Sequence, residues 1–287
     1  MSFTGVLTSP MESLLSGFPA WPGADQARLE IIGSGLNNHV VRVRFAGQDL
    51  VVRQSLPAGA AVKLSAAQEL EALAAASDAG IAPPLRALDV DAGVSVSDYL
   101  PGAHAWTSSD LGLAGNLQRL ARQLKAMHSL DFELPDYDVE SVAQIYAARI
   151  PALESGYQGE LLSLAVTFRE QFKGRVFCHN DLIAENILDN GRLWLIDFEY
   201  AVKSDPILDL AGVAALNGLP PDVRGQLLSA YYGLHAPTQE QFDQVCRMVL
   251  LMALVWVQAL RGATPSGRWL ALQQTMLTRL RQFPLEK

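Results

Sequence analysis

Residues 178–199 read CHNDLIAENILDNGRLWLIDFE, and three of them carry oxygen donors at a spacing suited to one kind of chemistry. Asp181 can take a proton from a hydroxyl. Asn186 and Asp197 offer an amide and a carboxylate oxygen, the hard donors that Mg²⁺ accepts beside a polyphosphate. Between them Asn190-Gly191, flanked by NILD and RLWLID, predicts a two-residue hairpin turn with φ > 0 at both positions. Such a turn would fold Asp197 back beside Asn186. A base in a loop, an amide shortly after it and an acid across a hairpin form the pattern used for phosphoryl transfer from ATP. His179 reads as a buried histidine that braces the loop and Cys178 as core, while Glu185 receives no role.

These residues need elements to hold them. The segment LEIIGSGLNNHVVRVRFAGQDLVVRQSL alternates apolar and polar positions, with AGQD at a hairpin turn, and predicts three strands joined by a Gly-rich turn and a hairpin. Residues 61–79 are Ala- and Leu-rich with helical periodicity and end before Gly80. IAPPLRALDVDAGVSVSDYL adds two short strands. From Leu111 the pattern turns helical, returns to strand around the 178–199 segment, and is helical again from about Pro206. The expected fold is α+β: a small β-rich N-lobe over residues 1–100, with a five-stranded antiparallel sheet and one helix, and a larger helical C-lobe over 101–287. Loops from both would line a cleft.

Composition narrows the function. The chain has 287 residues, 49% hydrophobic and 18% charged, which predicts a folded globular protein. Its formal net charge is -8 with no basic stripe, which argues against nucleic-acid binding. The two cysteines, Cys178 and Cys246, are far apart in apolar settings and imply neither a disulfide framework nor a metal cluster. The first residues lack a basic stretch followed by a long apolar run, and VCRMVLLMALVWVQAL is too short and too closely flanked by polar sequence to span a bilayer. The expectation is a cytoplasmic protein without membrane insertion, of undetermined oligomeric state.

The pair HNDLIAENIL and IDFEYA resembles the choline/ethanolamine kinase family, within the wider aminoglycoside phosphotransferase-like group, and the N-lobe elements fall in matching order. The resemblance implies a two-lobed protein-kinase-like fold and ATP- and Mg²⁺-dependent phosphorylation of a small-molecule hydroxyl. It implies Asp181 as base, Asn186 and Asp197 as metal ligands, and Gly33, Gly35 and Asn38 of GSGLNNHVVRV at the nucleotide phosphates. Arg53 of LVVRQ takes the place of the phosphate-binding cation, where its fork of donors suits phosphate oxygens. Its acidic partner is Glu69 or Glu71, and distance from GIAPP favours Glu69. SDYLPG resembles the interlobe linker, with Asp98 and Leu100 lining the adenine edge.

For the acceptor, Asn180 and the DFEYA ending resemble choline kinases, and Ile183 within LIA resembles the bacterial ones. Glu199 and Trp256 are the expected substrate contacts, since a quaternary ammonium calls for an acid and an aromatic face. Tyr231, Tyr232 and Trp269 are further aromatic candidates. The favoured acceptor is a small cationic alcohol, choline or ethanolamine. Thiamine or an aminoglycoside is the alternative substrate, and a noncatalytic pseudokinase is the alternative of another class.

Overall fold

The computed structural model describes residues 6–18, 27–34, 38–55, 63–149, 155–261 and 267–283. Two compact units emerge. The first comprises the described residues of Met1–Gly59, Lys63–His104 and Leu188–Glu199; the second holds those of Ala105–Ile187 and Tyr200–Lys287.

The first unit opens with helix α1 (Ser9–Ser16), capped by the Thr8 hydroxyl, which accepts the Met11 N–H at 3.4 Å. Strands β1 (Arg28–Ser34), β2 (Asn38–Phe45) and β3 (Gln48–Ser55) lead to helix α2 (Ala66–Asp78) and then β4 (Leu85–Asp89) and β5 (Val94–Asp98). The five strands form one antiparallel sheet in the order β1-β2-β3-β5-β4. Strand alternation divides its two faces between different tasks. Val41, Val43, Leu50, Val52, Val94 and Val96 bury one face against Met11 and Leu15 of α1. Arg53 and Ser55 point to the other face, where Glu69 of α2 meets both.

The second unit is helical. It contains β6 (His104–Ala105) at its chain boundary, α3 (Ser108–Leu111), α4 (Ala114–His128), α5 (Val139–Arg149) and α6 (Ser155–Gln171). Strand β7 (Val176–Cys178) leads into the 179–186 loop, and β8 (Ile187–Asp189) and β9 (Leu193–Leu195) follow as the hairpin that carries the chain back into the first unit. Strand β10 (Val202–Ser204) returns to pair antiparallel with β7, Val202 opposite Cys178. Four helices finish the chain: α7 (Ile207–Leu216), α8 (Pro221–Tyr232), α9 (Gln239–Arg261) and α10 (Gly267–Leu280). Helix α7 is buried along nearly its whole length, which its apolar sequence ILDLAGVAAL requires. Among the described residues no helix is long and apolar enough to cross a membrane.

Four sequence expectations are revised. The β-rich unit has a second helix, α1, and α2 starts at Ala66 because Ser65 and Gln68 form a reciprocal capping box there. The segment Leu188–Glu199 groups with the β-rich unit, since Leu195 N–H donates to the Ile81 carbonyl at 2.9 Å and the Arg192 guanidinium to the Gly80 carbonyl. The Asn190-Gly191 turn is not the two-residue type: only Gly191 has positive φ, 97°. Asp189 accounts for this, because its Oδ1 accepts the Gly191 N–H at 2.9 Å and so builds a three-residue loop. The two-residue turn with both φ positive is Ala46-Gly47, at 47° and 78°, closed by the Phe45–Gln48 pair.

Candidate active site

Within the β-rich unit, Arg53 organises a buried ionic cluster. Its guanidinium pairs with Glu69, and its other terminal nitrogen donates to Asp197 Oδ1 at 2.6 Å. The Ser55 hydroxyl donates to Glu69 Oε2 at 2.8 Å. Glu69 is 1% exposed, whereas Glu71 is exposed on the opposite side of the helix turn, so the partner of Arg53 is Glu69. Burial opposes the charge on Arg53, but Glu69 and Asp197 outweigh it and hold the guanidinium pKa above its ordinary value. Burial pushes the Glu69 carboxyl up against the pull of Arg53 and Ser55.

Asp197 itself sits at φ 71°, a left-handed conformation that non-glycine residues seldom adopt and that concentrates at functional sites. Asn38 is buried at the start of β2, and its Oδ1 has no hydrogen-bond partner among the described residues. Gly33 lies opposite Val40 just beyond a bulge in β1, one residue before the last pair, Ser34–His39. Gly35 lies outside the described residues. Asp98 is held by Arg86 through two hydrogen bonds, 2.6 and 2.7 Å, so its carboxylate serves the sheet edge. Its N–H and that of Tyr99 donate to the Pro84 and Asp49 carbonyls, and the Leu100 carbonyl closes a turn with the Ala103 N–H. Glu199 is buried and ion-paired with Lys63 Nζ at 2.8 Å.

Within the helical unit, the 179–186 loop is tied down from beneath by α7. Asp209 is fully buried, and its two carboxylate oxygens accept the N–H groups of His179 at 2.9 Å and Asn180 at 2.7 Å. The same carboxylate meets His128 Nε2 at 3.0 Å, and His128 Nδ1 meets the Tyr231 hydroxyl at 2.7 Å. At the far end of α7, Asn217 accepts the Ala184 N–H at 2.8 Å and donates to the Leu182 carbonyl at 3.0 Å. The loop is therefore anchored at both ends by one rigid helix. Asn180 takes φ 61°, a conformation that asparagine tolerates better than most residues.

Held in this way, Asp181 is partly exposed and Asn186 is buried. Asn186 Nδ2 donates to the Asp181 carbonyl at 2.8 Å and to its Oδ2 at 3.2 Å. These bonds orient the amide through its nitrogen. His128, Cys178 and Asp209 also stand within 4.8 Å of one another. Their atoms are committed to protein partners, with Cys178 Sγ against the Ser204 and Asp205 carbonyls, so the group anchors the loop. His179 is fully buried.

The aromatic candidates separate. Tyr231 belongs to the His128 anchor and stacks edge-on with Tyr232. Trp256 is half-buried, donates its indole N–H to the Tyr200 hydroxyl at 3.1 Å and meets the buried Trp269 edge-on at 5.9 Å.

Sequence reasoning missed Asp209, Asn217 and Lys63. A lone acid inside the apolar run ILDLAGVAAL was the available signal for Asp209. An unbalanced charge in such company must have buried partners.

A sequence profile of the phosphotransferase enzyme family matches residues 28–241. Protein LicA of Haemophilus influenzae is 28% identical over 209 residues, covering 69% of this chain and 60% of that protein. The chain thus spans less than two thirds of this relative's length. Among solved structures, a choline/ethanolamine kinase family protein from Mesorhizobium loti superposes with TM-score 0.78 at 22% identity, over 94% of this chain and 92% of the other. Choline kinase LicA from Streptococcus pneumoniae gives TM-score 0.75 at 19% identity, over 90% and 95%. The profile covers most of the chain, and the structural likeness extends across both units. The chain belongs to the phosphotransferase enzyme family and has a two-lobed, protein-kinase-like α+β fold.

Proposed function

We propose that the chain transfers the γ-phosphoryl group of ATP to the hydroxyl of a small cationic alcohol, choline or ethanolamine. The observation that carries this is the Asp181–Asn186 pair: a partly exposed carboxylate aligned by an amide nitrogen, on a loop anchored by Asp209. In this reading Asp181 receives the acceptor's proton as its oxygen attacks the γ-phosphorus. Arg53 balances phosphate charge, supported by Glu69. Gly33, Gly35, Asn38 and Leu100 are assigned to the nucleotide, and the orphaned Oδ1 of Asn38 is a polar group in want of a ligand.

Each unit offers a hard oxygen donor of the kind Mg²⁺ takes. Asn186 spends its nitrogen on Asp181 and keeps its oxygen, while Asp197 gives Oδ1 to Arg53 and keeps Oδ2. Both remaining donors are hard oxygens. Bound with ATP, Mg²⁺ would neutralise phosphate charge as it develops. The chain's own share is positioning and electrostatics.

For the acceptor we assign the Tyr200–Trp256 pair, whose aromatic faces suit a quaternary ammonium. A coupled ADP-release assay across choline, ethanolamine, thiamine, an aminoglycoside and small sugars, with and without Mg²⁺, tests the proposal. Mg²⁺-dependent turnover of choline or ethanolamine is expected. No turnover of any acceptor, with ATP binding intact, would overturn it.

A further inference from the structure

Glu199 lies two residues beyond Asp197 and is bound at two points to the segment that precedes α2. Its carboxylate meets Lys63 Nζ at 2.8 Å, with the two side chains 6% and 3% exposed. Its carbonyl accepts the Leu64 N–H at 2.9 Å. Leu64 runs directly into Ser65, the N-cap of α2, and the first turn of α2 carries Glu69 to Arg53. Arg53 holds Asp197, and Asp197 leads through Phe198 back to Glu199. The contacts close a ring: Asp197, Arg53, Glu69, the start of α2, Lys63, Glu199.

Two physical points follow. A buried ion pair cannot lose one member without leaving an uncompensated charge, so Lys63 and Glu199 are bound to each other. An acid committed in this way is poorly placed to meet a cationic substrate. Asp197 meanwhile sits in a left-handed conformation that persists only where its surroundings hold it. Arg53 restrains its side chain, and the Glu199 clamp restrains the backbone just beyond.

We propose that Lys63 and Glu199 form a positioning pair for the nucleotide side of the reaction. The pair fixes the start of α2 against the Asp197 segment, so that Glu69 reaches Arg53 and Asp197 keeps its orientation. This rests on the kinase function proposed above, and it moves Glu199 from acceptor recognition to Mg·ATP binding.

The test uses the full chain carrying Glu199→Gln, Lys63→Met, both together, and the exchanged pair Lys63→Glu with Glu199→Lys. Each single variant should weaken Mg·ADP binding by calorimetry and raise the ATP KM about tenfold, the size of a common site-to-site coupling. The choline KM should stay unchanged. The double variant should be no worse than either single one, and the exchanged pair should recover part of the loss. A rise in the choline KM with an unchanged ATP KM would overturn the proposal, because Glu199 would then be an acceptor contact. Additive losses in the double variant would also overturn it.

A third readout needs neither ligand nor turnover. In the nucleotide-free protein, Glu199→Gln should accelerate amide hydrogen exchange at residues 64–69, and unchanged exchange there would overturn the proposal. If the unsubstituted chain turned over no acceptor while this exchange result held, the functional reading would fail and the clamp would stand.

Discussion

The Asn186 side chain reaches back five residues to hold Asp181 by both its carbonyl, at 2.8 Å, and its carboxylate, at 3.2 Å. One amide thereby orients the candidate base and presents an oxygen donor on its other side. Asp181→Asn should lower kcat by about 10²- to 10⁴-fold, the usual worth of a general base. Calorimetry should find Mg·ADP affinity within twofold of the unsubstituted chain. Full activity in this variant would remove Asp181 from the role of base.

Asp197→Ala takes away both the proposed metal donor and the partner of Arg53. Mg·nucleotide binding should weaken together with turnover, and the Mg²⁺ concentration for half-maximal activity should rise. A titration of activity against Mg²⁺ at saturating ATP checks this.

Glu69 and Glu71 share a helix but differ in burial. Glu69→Gln should raise the ATP KM and lower the melting temperature, since it leaves Arg53 partly uncompensated. Glu71→Gln, at an exposed position, should change stability by less than about 0.5 kcal/mol and leave the KM alone. Equal effects from the two would contradict the Arg53–Glu69 pairing.

Removal of the Asp209 carboxylate strands the buried His179 N–H, the part-buried Asn180 N–H and a histidine. Asp209→Ala should cost about 3 kcal/mol or more, on the scale of unsatisfied buried donors. Thermal melting would show it. Asp209→Asn keeps the volume and one acceptor, so it should fold but turn over slowly, with the 179–186 loop less well held.

Burial pushes both thiols well above the ordinary cysteine range, and both cysteines are fully buried. A thiol that stays protonated and covered reacts slowly. Incubation with iodoacetamide at pH 8 should therefore leave the native chain unlabelled, and mass spectrometry after denaturation should find both cysteines modified.

The sheet was legible because one buried face writes a period of two into β2, β3 and β5. Arg53 was legible through the resemblance of LVVRQ to the family's phosphate-binding strand. Asp181, Asn186 and Asp197 were legible because they cluster within one short segment. Helix α1 was not, since eight residues beginning Ser-Pro give little periodicity. The turn at 190–192 was misjudged because the Asp189 side chain, not the Asn-Gly dipeptide, sets its geometry. Asp209 serves partners 29 and 30 residues back, and Lys63 one 136 residues ahead. Local pattern carries no trace of such separations.

The same separations bear on synthesis. Arg53 gains Asp197 only after 144 further residues have been made. At bacterial and eukaryotic elongation rates this is a delay of about 7 to 30 s. Throughout that interval the nascent sheet holds a guanidinium whose second partner does not yet exist, and the Gly80–Ile81 edge waits for the hairpin that will cover it. The β-rich unit opens early in synthesis but is complete only once Glu199 has been made, after the intervening Ala105–Ile187 segment of the helical unit. An exchange of N-terminal halves between relatives would have to carry residues 188–199 along with it, or separate a cation from its counter-ion.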